Sequence, residues 1–205
     1  MSILSKLSFK DQAFKLREDA ILDAATRILA SKGFDLMTMD DVALEVGLSK
    51  PSLYKHFKSK DDLVAEAMIR LLDGAQTFLD ALPREHAPTR KLVALLEWAM
   101  RVRLDGGLPF LPSTSPQVRD MLTRNLRYVT RVLKLNGQLE KIVQAGKKAG
   151  ELRMDLPDDV ILFSYYARTC DPAVDYLRLY SKMNNDEIIQ HMLSVYLDGV
   201  ALPQG

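Results

Sequence analysis

An all-α fold is predicted for this 205-residue chain, and three features of the sequence predict it. Apolar residues recur at three- and four-residue spacing along nearly the whole length; the breaks between these runs fall at Gly and Pro; and two of the shortest runs meet at Gly47-Leu48, the pattern of two helices joined by a tight turn. The expected architecture is an N-terminal three-helix helix-turn-helix domain, joined by a long helix to a C-terminal helical bundle, with about nine helices in all.

Residues 1–13 read as a leader, and residues 14–74 as the helix-turn-helix domain with its motif at about 38–57. The first helix carries Ile21, Ala25, Ile28 and Leu29 as its apolar stripe and stops near Lys32-Gly33. In the motif, Thr38 is the expected N-cap of a helix bearing Met39, Val42, Ala43 and Val46 on one face, with Asp41 as capping-box partner. Gly47 supplies positive φ for the turn, Leu48 plugs it, and Ser49 caps a second helix with Pro51 in its first turn and Leu53 and Phe57 facing inward. Ser59 and Asp62 read as the capping box of a connector helix that carries Leu63, Ala67, Leu71, Ala75 and Phe78 and ends before Pro83.

Residues 83–205 form the second domain. Its first helix, with Leu92, Leu95, Leu96, Ala99 and Met100, fails at Asp105-Gly106-Gly107. The apolar loop with Leu108, Phe110 and Leu111 is expected to pack down. A short sixth helix follows from Pro116, then a long seventh with Leu126, Val129, Leu133, Leu139, Ile142 and Val143, weakest at Gly137. Two last helices run from about Leu156 to Tyr180 and from Asn185 to Val200, and Pro172 predicts a kink or break near Cys170-Asp171.

The motif TMDDVALEVGLSKPSLYKHFKSK concentrates the chemistry. From Ser49 to Lys60 there is no carboxylate, while Lys50, Lys55, Lys58 and Lys60 all fall in the span. The outer face of the second helix presents Lys50, Ser52, Lys55 and His56, with Tyr54 near its edge. Such a helix offers its N-terminal part to base edges in the major groove, with flanking cations and hydroxyls on phosphates. Each residue also has a structural explanation: Tyr54 as a core-closing aromatic, the lysines as a solvated face, His56 as a surface or capping residue. The net charge of +1 confines the basic character to this segment, which suits a localised duplex surface better than general polyanion binding.

Composition excludes several classes. The single cysteine, Cys170, rules out an intrachain disulfide and suits a reducing cytoplasm. One Cys and the scattered His56, His86 and His191 give no zinc-finger or HExxH spacing, so no metal or cofactor is expected. No run approaches the roughly 18 apolar residues of a membrane span. Enzymatic signatures such as GxSxG are missing, and AGKKAG lacks the spacing and the Ser or Thr of a phosphate loop. The competing expectation is a helical protein-interaction module, or a ligand-binding protein, without DNA binding.

The stretch LSKPSLYKHFKSKDDL, with REDAILDAATRILASKGFDLMTMDDVA upstream of it, resembles the TetR family of transcriptional regulators over roughly Leu16 to Met68. A weaker likeness covers LEKIVQAGKKAGELRMDLPDD. The resemblance implies phosphate contacts by Thr38, Tyr54, His56 and Lys60, with Ser49, Lys50, Pro51, Ser52 and Lys55 at the DNA and most of these nearest the bases. Met39 stands where the family often has a second threonine, and Asp40 after it would be mildly repelled by DNA if it pointed inward. The resemblance further implies a homodimer through the last two helices, a double-stranded operator and a small-molecule effector.

Val160, Phe163, Ala167 and Val174 on one of those helices, and Ile188, Met192 and Tyr196 on the other, are the candidate dimer contacts. By periodicity alone they serve equally well as internal core. Trp98, Met100, Phe110, Met121, Tyr128, Tyr165 and Tyr166 are the candidate lining of an effector site, with Arg101 and Arg103 able to answer an anion. The expected mechanism is linkage: an effector favours a state in which the connector helix has swung, and the dimer, expected to be a repressor at a near-palindromic operator, leaves its DNA.

Overall fold

A computed structural model describes residues 8–108 and 116–201, so Phe110 lies outside the described residues. It contains ten helices among the described residues and one isolated antiparallel bridge, Leu152 to Ala201. The chain divides into two compact units that meet between Met68 and Ile69.

The first unit begins with α1 (Phe9–Leu36), whose cap is the Ser8 hydroxyl accepting from the Asp11 N–H at 3.2 Å. The helix thus starts within the expected leader. It carries Ile21, Leu22, Ala24, Ala25 and Ile28 into the core. Regular helix ends after Lys32, because Gly33 takes φ 76° and ψ 171°, a conformation open to glycine at little cost. α2 (Met39–Glu45) has the expected reciprocal cap: the Thr38 hydroxyl accepts from the Asp41 N–H at 3.1 Å, and Asp41 Oδ2 accepts from the Thr38 N–H at 3.0 Å. Met39, Val42 and Ala43 are buried, and Arg27 ties α1 to α2 through Glu45 at 2.8 Å.

Gly47 turns the chain with φ 66° into α3 (Lys50–Tyr54). Ser49 occupies the N-cap position but its hydroxyl makes no capping bond; its carbonyl instead accepts from Ser52 and Leu53. Leu53 is fully buried and Phe57 nearly so. α4 (Lys60–Ala81) is opened by the Ser59 hydroxyl, which accepts from the Asp62 N–H at 3.1 Å. The return bond of this box is displaced by one residue: Asp62 accepts from Lys58 rather than from Ser59. The first part of α4 places Leu63, Val64, Ala67 and Met68 in the core, and the helix continues unbroken past Met68.

The second unit is a bundle built around α5 (Pro88–Leu104), which packs on α7 (Leu126–Lys148), α8 (Asp158–Thr169) and α10 (Asn185–Val200). α6 (Pro116–Arg124) lies on α7, and α9 (Ala173–Tyr180) on α10. α5 has no capping side chain of its own; Glu151 accepts from the Thr89 N–H at 2.9 Å. α5 ends at Asp105, followed by Gly106 with φ 85°, and Leu108 beyond it is buried. At Gly146 a Cβ would stand 2.8 Å from Leu152 Cδ1, so the glycine lets the chain after α7 fold back closely on the helix.

Pro172 splits the expected penultimate helix into α8 and α9. Asp171 accepts from the Ala173 N–H and from Arg168, and the break is braced from α5: Arg103 donates to Thr169 O and Asp175, while Arg178 donates to Leu104 O. The inward face of α7 also differs from expectation. Leu126 and Leu133 are exposed and Tyr128 and Leu135 are buried in their place, while Leu139 and Val143 are buried as the spacing predicts. The two stripes are almost equally apolar by spacing, so the register depends on which one meets α5 and α8. The helix runs through Gly137 without interruption.

Two glycines make opposite predictions. Gly47→Ala forces a side chain into positive φ and should lower the unfolding free energy by about 1 kcal/mol. Gly137→Ala adds a Cβ in a helix where nothing lies within 4 Å, and should raise it by about 0.5–1 kcal/mol. Urea unfolding of each variant checks both.

Candidate nucleic-acid interface

α3 has only five residues, too few to be helical alone, and its geometry comes from Leu53 and Phe57 sunk in the core of the first unit. With those two inward, Lys50, Pro51, Tyr54 and Lys55 are left exposed and Ser52 half-buried. Tyr54 is 41% exposed, so its ring does not close the core and its hydroxyl needs no buried partner. The side chains of Lys55 and Lys58 form no ion pair or hydrogen bond among the described residues, which leaves both ammonium groups available.

The remaining groups already have partners. Lys50 Nζ donates to Asp40 Oδ2 at 3.0 Å, and this carboxylate raises the Lys50 pKa above its ordinary value. Asp40 therefore acts as an internal counterion to Lys50. The Thr38 hydroxyl donates to Asp41 Oδ2 at 2.8 Å, so its single O–H is committed to the cap of α2. Asp41 is held below the usual carboxylate range first by Lys32, at 2.9 Å, and then by Thr38.

His56 and Lys60 are placed differently from expectation. The His56 imidazole is buried, stacked on Phe14 of α1 with ring centroids 4.1 Å apart, and its Nδ1 lies 3.8 Å from Glu18 Oε1. Burial turns it away from any backbone alongside α3. Lys60 reaches back across the unit: Nζ donates to Phe34 O at 2.8 Å and Met37 O at 3.1 Å, and stands 4.2 Å from the centroid of the Phe34 ring. It satisfies carbonyls at the end of α1, an intramolecular role that sequence spacing could not disclose because the partners lie 26 and 23 residues away.

In the second unit Val160, Phe163 and Ala167 are exposed along one side of α8, with Phe163 at 67%. Val174, Ile188, Met192 and Tyr196 are buried within the chain, which corrects their assignment to a partner-facing surface. α10 turns its broad apolar stripe into its own bundle and leaves Val195 outside. Among the candidate effector residues, Met100, Tyr128 and Tyr165 are buried, and Trp98, Met121 and Tyr166 half-buried. Trp98 stacks on Phe78 at 5.7 Å. Arg101 is exposed and paired with Glu97 and Asp186, and Arg103 is taken up by Asp175 and Thr169 O, so neither guanidinium is free to meet an anion inside the bundle.

Four phenols gather in this bundle. Tyr165 touches Tyr166 and Tyr196 edge-on, at 5.9 and 6.0 Å between centroids. Tyr166 donates to Asn136 Oδ1 and Tyr196 to Ile161 O, both at 3.3 Å. The Tyr165 hydroxyl is buried with no hydrogen-bond partner, a condition that ordinarily costs about 1–3 kcal/mol. Burial raises the pKa of all four, Tyr128 and Tyr166 to about 12. Among the described residues no group of His, Cys, Asp and Glu side chains could hold a metal, and no helix is long and apolar enough to cross a membrane.

Two helices about a glycine turn, the second exposing lysines, a serine and a tyrosine while its apolar residues are buried, define a helix-turn-helix DNA-binding protein. Comparison with known proteins agrees. Residues 21–67 match the model of the family described as bacterial regulatory proteins, tetR family. The HTH-type transcriptional repressor KstR2 of Rhodococcus jostii is 26% identical over 191 residues, covering 91% of this chain and 92% of its own. Two solved structures share the fold. The ketosteroid transcriptional regulator KstR2 of Mycobacterium tuberculosis matches with a TM-score of 0.59 at 18% identity, covering 91% of this chain and 96% of its own. A TetR family transcription regulator from Marinobacter aquaeolei matches with a TM-score of 0.64 at 18% identity, over 94% and 100%. Over residues 21–67 the chain is thus similar to the TetR family of transcriptional regulators, and over most of its length to the repressor KstR2.

The placement of Lys60 generates a stability prediction. Lys60→Ala removes the donor from two backbone carbonyls and should destabilise the first unit by about 1–2 kcal/mol. Thermal unfolding of the variant measures it, and an unchanged midpoint would show that water replaces the ammonium without loss.

Proposed function

We propose that this regulator is a repressor whose homodimer binds a near-palindromic double-stranded operator in the cytoplasm and leaves it when a small-molecule effector binds the second unit. The observation that carries the reading is the exposed surface of α3 and the turn after it: Tyr54 and Lys55 exposed, with Lys58 just beyond, on a segment held by the buried Leu53 and Phe57. Lys50, Pro51, Ser52 and Lys55 lie nearest the bases in this reading. Ser49, whose hydroxyl is not used in capping, and Tyr54 take phosphates. Thr38 contributes only by exchanging its bond to Asp41, and Lys60 acts through the fold of the unit.

One such motif reads only a few base pairs. A twofold assembly presents two recognition helices roughly 34–36 Å apart, one turn of the duplex. The exposed Val160, Phe163 and Ala167 stripe on α8, with Val195 on α10, supports pairing through these helices. α4 runs from one unit into the other, which makes it the covalent route by which effector binding reaches the motif. A coupling of about 1–3 kcal/mol would change operator occupancy roughly 5- to 150-fold.

Binding to duplex should weaken steeply with salt, with a log-log slope of about −0.9 per phosphate contacted. Lys55→Ala and Lys50→Ala should alter sequence preference, whereas Tyr54→Phe should weaken all sequences about equally. A flat salt response would favour the rival reading, a helical interaction module. Phe163→Glu places a charge on the α8 stripe and should shift the protein from dimer to monomer in sedimentation; a dimer of unchanged stability would move the interface elsewhere.

A further inference from the structure

The second unit carries a feature that narrows the chemistry of its effector. The Tyr165 ring is fully buried, and its hydroxyl is the one polar side-chain atom among the four clustered phenols that is both buried and unpartnered. Its neighbours are aromatic: Tyr166 and Tyr196 meet it edge-on, and the hydroxyls of those two already donate to Asn136 and Ile161 O. Thr169 is the buried polar residue of the described chain, and its hydroxyl donates to Tyr166 O. No charged residue is fully buried among the described residues, and the two arginines that α5 might have offered are already paired, Arg101 at the surface and Arg103, half-buried, with Asp175 and Thr169 O.

A phenol so placed stays protonated through the physiological range, since burial raises its pKa well above 10. It has one O–H to give and no acceptor to receive it. A carboxylate or phosphate brought to this position would lose its water and find no cation, while a hydrocarbon would leave the hydroxyl unsatisfied. A neutral, largely apolar molecule with one carbonyl oxygen meets both conditions: its oxygen accepts from Tyr165 and its carbon skeleton requires no charged partner.

We propose that Tyr165, set between Tyr166 and Tyr196 in a bundle interior without buried charge, is the hydrogen-bond donor for a neutral apolar effector bearing a carbonyl group. The inference rests on the reading of the second unit as effector-binding and specifies the class of effector.

The test uses the full-length protein without DNA, titrated by calorimetry with straight-chain methyl ketones of graded length and with the carboxylates and alkanes of the same lengths. At least one ketone should bind saturably and more tightly than its matched carboxylate and alkane. Tyr165→Phe keeps the ring and removes only the donor, and should weaken that ketone about tenfold while leaving alkane binding unchanged. Tighter binding of the carboxylates, equal ketone affinity in the Phe variant, or no saturable ketone binding at any length would each overturn the assignment. Salt-dependent binding to duplex, measured separately on the same preparations, reports the regulator reading. Duplex binding that persists while the ketones fail sinks the effector class alone; loss of duplex binding in the unmodified protein sinks the broader function.

Discussion

A helix of one and a half turns cannot maintain itself in water, because nucleation costs more than so few hydrogen bonds return. What the first unit would offer a duplex depends on overcoming that cost at α3, and the means is burial: Leu53 and Phe57 are buried in the unit that also buries Ile21, Ala25 and Ile28 of α1, Val42 of α2, and Leu63 and Met68 of α4. Truncating an aromatic as buried as Phe57 ordinarily costs about 3–5 kcal/mol. The polar face is therefore only as well oriented as the apolar one is packed. Gly47 at positive φ and the Thr38–Asp41 box set the angles at which the short helices enter that core.

The same unit satisfies many of its own charges. Lys32 with Asp41, Lys50 with Asp40, and Arg27 with Glu45 are solvent-exposed pairs, weak in water and open to exchange. In the proposed complex an anionic duplex would compete with Asp40 for Lys50, while Lys55 and Lys58 would need no exchange. The basic segment is thus graded in availability, and a count of lysines overstates what is ready to bind.

Much of this was legible in sequence because it is local. The α2 capping box, the Gly47 turn, the inward pair Leu53 and Phe57 and the break at Pro172 each follow from residues within a few positions of one another. What escaped has one physical origin: periodicity identifies a stripe without saying what covers it. Ile188, Met192 and Tyr196 make a good partner face by pattern yet fill their own bundle, whereas Val160, Phe163 and Ala167, equally apolar, stay outside. Leu126 and Leu133 failed as core for the same reason. His56 with Phe14, and Lys60 with the carbonyls of Phe34 and Met37, depend on chain segments brought together only by folding. For these no spacing rule exists.

The four clustered phenols have a consequence for behaviour in alkali. A phenol whose pKa is about 10 in an unfolded chain and about 12 in the bundle, as for Tyr128 and Tyr166, binds its proton more tightly when folded. Its stabilising contribution is intact below the unfolded value and disappears as pH climbs through the folded one. With several such groups side by side, ionisation and loss of the bundle become a single cooperative event. The ultraviolet signature of tyrosinate should then emerge abruptly, as the mark of an interior opened to solvent.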